Sequence, residues 1–102
     1  MRIILDECVP NIVKRGLPSR AIVTVQEIGW AGLKNGELLR RVSADFDVFV
    51  TSDKNLKHQQ DLQAFELGVI VLPSNQVPVV EGLLPQIEEA LANIVASELI
   101  EL

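Results

Sequence analysis

Phe46-Asp47-Val48-Phe49-Val50-Thr51-Ser52-Asp53 (FDVFVTSD, residues 46–53) sets three apolar side chains and a β-branched threonine in succession and then ends on a carboxylate. A strand wet on one face alternates apolar and polar residues; an unbroken run is the mark of a strand buried on both faces, between helices, in a parallel sheet. The run Asp47–Thr51 has three counterparts of similar length: Arg2–Leu5, Ala21–Val25 and Gly68–Leu72. Between them the spacing predicts helices over Glu7–Arg15, Asn35–Ser43 and Asn55–Glu66. Strands alternating with helices give an α/β domain with a mostly parallel, four-stranded central sheet flanked by helices, joined by right-handed crossovers. A last helix is expected over Val79–Leu102, where Val80, Leu83, Leu84, Ile87, Leu91, Ile94, Val95 and Leu99 recur at three- and four-residue steps. Gly82 and Pro85 mark a kink in that helix or a later start.

The chain has 102 residues, which is the size of one domain. At 48% hydrophobic and 23% charged residues it is too apolar for a disordered chain. It holds no apolar run near the roughly 20 residues that span a bilayer. The apolar stretch Ile3-Ile4-Leu5 is cut short by Asp6 and Glu7, unlike a secretory leader. One cysteine, Cys8, leaves no disulfide framework. These features lead us to expect a soluble cytoplasmic domain. The net charge of −5 speaks against passive attraction to phosphates, but it is unevenly spread. Residues 1–57 carry all nine Lys and Arg against seven acids, a balance of +2, and residues 58–102 carry seven acids and neither Lys nor Arg, −7.

Two strands end in acids at the same edge of the sheet. Asp6 and Glu7 follow Ile3-Ile4-Leu5, and Thr51-Ser52-Asp53 follows Val48-Phe49-Val50. Ligands of open α/β sheets bind outside the carboxyl ends of the strands, where strand order reverses. If the two strands are neighbours, Asp6 and Asp53 converge, and Glu37 can join them from the start of the Asn35–Ser43 helix. Converging carboxylates stay ionised when a cation shares the site. Oxygen donors favour Mg²⁺ or Mn²⁺, which activates water and stabilises charge on a transferring phosphoryl group. The same acids can equally serve as helix N-caps and dipole partners, because Asp6 and Asp53 both precede predicted helices.

Three blocks, MRIILDECVP (1–10), EIGWAGLKNGELL (27–39) and FDVFVTSDKNL (46–56), resemble the bacterial PIN-like domain family often encoded beside small antitoxin-like proteins. Their order and spacing match over roughly residues 1–72. The resemblance implies a three-layer PIN-like fold and a metal-dependent ribonuclease, a relative of the VapC-type toxins. It also implies a Mg²⁺ or Mn²⁺ cofactor, an RNA substrate and a small antitoxin-like partner. The family's acids map onto Asp6, Glu37 and Asp53, as catalytic residues and metal ligands. Its usual fourth acid is replaced by Asn55, for which Glu7 or Asp61 are the substitutes at hand. The departure favours an alternative, a non-catalytic PIN-like module that binds a protein partner.

Around these acids, Lys54, Asn55, Lys57 and Thr51 are candidate substrate contacts, and Arg40 and Arg41 follow Glu37 by one helical turn. Thr51 and Ser52 are equally placed to hydrogen-bond within their own turn. Cys8 has no histidine nearby in sequence and reads as a small buried hydrophobe rather than a nucleophile. His58 reads as a solvated helix residue, and Trp30, between Gly29 and Gly32, as a core anchor. The C-terminal stripe covers the sheet, or else forms a homodimer interface or a groove for an antitoxin helix.

Overall fold

The computed structural model describes residues 1–59 and 61–102, apart from the side chains of Lys57 and Gln59. All four expected strands form: β1 (Ile3–Leu5), β2 (Ile22–Thr24), β3 (Val48–Thr51) and β4 (Gly68–Val71). β1, β3 and β4 are buried at every position, as the continuous apolar runs require, while the edge strand β2 buries Ile22 and Thr24 and leaves Val23 half-buried. Helix α1 (Ile12–Gly16) is shorter than Glu7–Arg15 and starts later, after Pro10. Helix α2 (Asn35–Asp45) buries Leu38, Leu39 and Val42. The segment Asn55–Glu66 is not one helix: α3 (Leu56–Gln59) is followed by a 3-10 turn, Leu62–Ala64.

The C-terminal segment departs most from expectation. In place of one helix over Val79–Leu102 there are α4 (Val77–Gly82), α5 (Leu84–Asn93) and a fifth strand, β5 (Leu99–Glu101). Gly82 closes α4 and Pro85 sits in the first turn of α5, where its missing N–H costs nothing. Ile94 leaves the helix in an extended conformation and Ser97 turns the chain with φ 66°. The sheet therefore has five strands, all parallel, in the order β2-β1-β3-β4-β5, not four.

Alternate residues of each strand feed two cores. Ile3, Leu5, Val48, Val50, Ile70 and Leu72 pack under α1, α4 and α5. Ile4, Phe49, Val69 and Val71 pack under α2 and α3. The domain is a three-layer α/β fold. The chain steps from β1 outward to β2, returns past β1 to β3, and runs on to β4 and β5. Against the expectation of uniformly right-handed crossovers, the last one has the hand opposite to the other three, because α4 and α5 lie on the α1 face. The reason is coverage: α1, with five residues, is too short to shield that face alone. Val80, Ile87, Ala90 and Leu91 complete it. Gly16 allows the close approach, since a Cβ there would stand 2.5 Å from the Leu84 Cδ1 methyl.

An ion pair fastens the same layer. The Arg20 guanidinium donates to both Glu88 carboxylate oxygens, at 2.9 Å and 3.0 Å. The hydrogen bond from Arg20 holds the Glu88 carboxyl below its usual range. A lowered folded-state value stabilises the protein above the ordinary glutamate range and loses that contribution as the pH falls. The pair is partly exposed, so solvent screens it. Glu88→Gln is expected to remove this component: its urea-midpoint difference from wild type at about pH 6 shrinks toward zero at about pH 3. A difference that stays constant across that range would mean that Glu88 titrates alike folded and unfolded.

Candidate functional site

Strands β1 and β3 are hydrogen-bonded neighbours, with Leu5 in register with Val50. Strand order reverses between them, since the connections out of β1 and β3 run to opposite edges. Asp6 is the first residue after β1, and its backbone N–H donates to the Val50 carbonyl at 2.8 Å. Asp53 follows β3 by two residues. Both aspartates are half-buried at the carboxyl edge, at the reversal of strand order where open α/β sheets commonly take ligands.

Thr51 ties the two together. Its side chain is fully buried, its hydroxyl donates to Asp6 Oδ2 at 2.7 Å, and it accepts from the Asp53 backbone N–H at 3.0 Å. The other Asp6 oxygen accepts from the Glu7 backbone N–H at 2.8 Å. Asp53 Oδ1 accepts from the Asn55 backbone N–H at 3.0 Å, and Asp53 Oδ2 from the Asn35 side-chain amide at 3.4 Å. Asp53 thus also steadies the turn into α3. Asp6 does not cap α1, whose N-cap is Asn11. Cys8 lies beside the pair, accepting from the Ser52 hydroxyl at 3.1 Å, with its sulfur 3.6 Å from Asp6 Oδ2.

Glu37 is not drawn to the aspartates. Its carboxylate pairs with Arg41 Nε at 2.9 Å and with Arg40, on the surface of α2. Among the described residues, no group of three or more Asp, Glu, His or Cys side chains is arranged to hold a metal ion. Of the substitutes for a fourth acid, Glu7 is exposed and accepts from the Gly32 backbone N–H at 3.3 Å. Asp61 lies at the other end of the sheet, lining a cavity of about 550 Å³ with Leu67, Glu98 and Leu99 at the amino ends of β4 and β5. Lys54 and Asn55 are exposed just beyond Asp53; the side chain of Lys57 lies outside the described residues.

A loop over residues 26–34 is tied to the end of β1, its Gln26 side-chain amide donating to the Glu7 carbonyl at 3.2 Å. Gly29 and Gly32 take positive φ there, 77° and 87°, which glycine adopts without strain. Trp30 packs edge-on against Phe46 at 6.2 Å between ring centroids, as a core anchor. His58 is exposed. The contact missing from the sequence reading is Asn35 with Asp53, since Asn35 reads there only as a helix start.

Two carboxylates suit a hard divalent cation. Mg²⁺ is commonly bound by one or two carboxylates, keeping waters and substrate phosphate as its other ligands. An ionised carboxylate offers about four lone-pair positions. The hydrogen bonds described above leave at least one of these open on each aspartate, so the donor chemistry fits such an ion. Comparison with protein-family models, with curated proteins and with solved structures finds no match to this chain. Among the described residues, no helix is long and apolar enough to cross a membrane.

Proposed function

We propose that this chain is a Mg²⁺- or Mn²⁺-dependent ribonuclease of PIN-like type, the toxin of a toxin–antitoxin pair. The observation that carries the reading is the placement of Asp6 and Asp53 on neighbouring strands astride the reversal of strand order. The resemblance of the three sequence blocks adds the substrate class and the small antitoxin-like partner. In this reading the bound cation activates water and offsets the charge that develops on the scissile phosphate. Asp6 and Asp53 hold it, and Thr51 sets their spacing. Lys54 and Asn55, exposed at the rim, meet the RNA backbone, with Lys57 assigned the same task from its place in the sequence. Glu37 pairs with Arg40 and Arg41 on the surface of α2.

RNA incubated with the protein and Mn²⁺ is expected to be cleaved. Chelator stops the reaction, and added Mn²⁺ restores it. Cleavage indifferent to chelator would overturn the metal-dependent reading. The alternative, a non-catalytic protein-binding module, draws support from apolar side chains left at the surface: Val77 and Val79 on α4, and Val95. It predicts that no Mn²⁺ binds at millimolar concentration.

A further inference from the structure

We propose that β5 takes up an added strand: an extended segment of a partner protein in which basic and apolar residues alternate. This role does not depend on the ribonuclease reading. β5 is the outermost strand of the sheet, with β4 on one side and no strand on the other. The Val69 N–H donates to the Glu98 carbonyl at 2.8 Å, and the Leu102 N–H to the Val71 carbonyl at 2.9 Å. Alternate residues of a strand turn their backbone groups to opposite sides, so those of Leu99 face away from β4. An outward row of this kind is the template on which an extended peptide adds a strand.

The surroundings of β5 say what that strand carries. Leu99 packs with the core under α2 and Ile100 with the core under α5, so the two side chains lie on opposite faces. A cavity flanks β5 on each face. The one of about 550 Å³ has Leu62, Leu67 and Leu99 in its wall, with the exposed acids Asp61 and Glu98. The other, of about 290 Å³, is lined by Ala90, Ile100 and Leu102, with Glu89 at its rim. An added strand sends alternate side chains to opposite faces, one set toward each cavity. Lys or Arg suits the first, its stem along the leucines and its head at the two carboxylates. An aliphatic side chain suits the second. Residues 58–102 hold seven acids and neither Lys nor Arg, so charge favours a basic partner. A second copy fits less well. Its β5 would bring the same acids against these, and β2, the other edge strand, offers Ile22, Val23 and Thr24 with no basic side chain.

The test titrates the full chain into a fluorescein-labelled peptide, Val-Arg-Val-Arg-Val-Arg, and reads fluorescence anisotropy. Saturable binding is expected, and the same residues in the order Val-Val-Val-Arg-Arg-Arg should bind at least about tenfold more weakly, since charge is kept and alternation lost. Asp61→Lys should weaken binding at least about tenfold by meeting the peptide's arginine with like charge. Asp61 makes no side-chain capping bond, so the substitution spares the fold. A second measurement leaves the protein untouched: the peptide is N-methylated either at its arginines or at its valines. Only one of the two sets of N–H groups faces β5, so one methylated peptide loses binding and the other keeps it. Absence of saturable binding, equal affinity for the two residue orders, or full binding by both methylated peptides overturns the added strand. A dimer of the chain that Leu99→Pro dissociates would give the edge to a second copy and overturn the basic partner. None of these readouts involves RNA or a metal ion, so failure of the ribonuclease reading leaves them unaffected.

Discussion

Asp6→Asn and Asp53→Asn are each expected to lower metal-dependent RNA cleavage by at least about 100-fold while the protein stays folded. Asparagine keeps the shape of aspartate and removes the charge that, in the proposed reading, would hold the cation. At Asp6 the amide oxygen can keep the Glu7 N–H while its N–H₂ faces the Thr51 oxygen, and the Thr51 hydroxyl then loses Asp6 as its acceptor. One hydrogen bond, worth about 1 kcal/mol, is lost. Removing a like charge from the aspartate pair works in the opposite direction. Urea unfolding in chelator should therefore shift by no more than about 1 kcal/mol, while turnover in Mn²⁺ collapses. Wild-type turnover in both variants would remove these aspartates from the chemistry.

Thr51→Val is expected to damage stability and activity together. Valine fills the same space without the hydroxyl that donates to Asp6 and accepts from the Asp53 N–H. Thr51 is fully buried, so the partners left behind cannot turn to water at that position. Unsatisfied groups of this kind cost about 1–3 kcal/mol, a sizeable part of a total near 5–15 kcal/mol. With the tie gone the two carboxylates lose their fixed spacing, and turnover should fall about tenfold or more. Thr51→Ser is the control: it retains the hydroxyl, sacrifices one buried methyl at about 1 kcal/mol, and keeps its turnover. If serine and valine lose activity equally, packing and not the hydrogen bond governs the site.

The three central strands are legible in the sequence because burial on both faces writes an uninterrupted apolar run, Val48-Phe49-Val50 being the clearest, and the edge strand β2 shares the pattern. The two aspartates are legible as residues that close such runs. Their meeting depends on β1 and β3 being neighbours, which no local pattern encodes. Leu99-Ile100-Glu101 was hidden because its leucine falls in step with the helical stripe of α5. The left-handed turn at Ser97 and the open edge of β4 draw it into the sheet instead. The fate of Glu37 had a visible signal. Arginines three and four residues ahead of a glutamate are its natural partners on a helix. That pairing prevails over convergence with two distant acids of its own sign.

The reversed hand of the last crossover has a consequence for the order of assembly during synthesis. Ribosomes deliver a chain from its N-terminus, and a domain folds as a unit once its core can close. Here β1 and β3, which carry Asp6 and Asp53, are both made early. The layer that shields Leu5 and Val50 from water is made after both, with Val80, Ile87 and Leu91. Truncating any one of those three side chains costs about 2–5 kcal/mol, so a chain lacking all of residues 79–102 is not expected to hold its sheet. A nascent chain would thus already contain both aspartates before the sheet edge that positions them is assembled. If the proposed nuclease function holds, competence would arise only once residues 79–102 have been made.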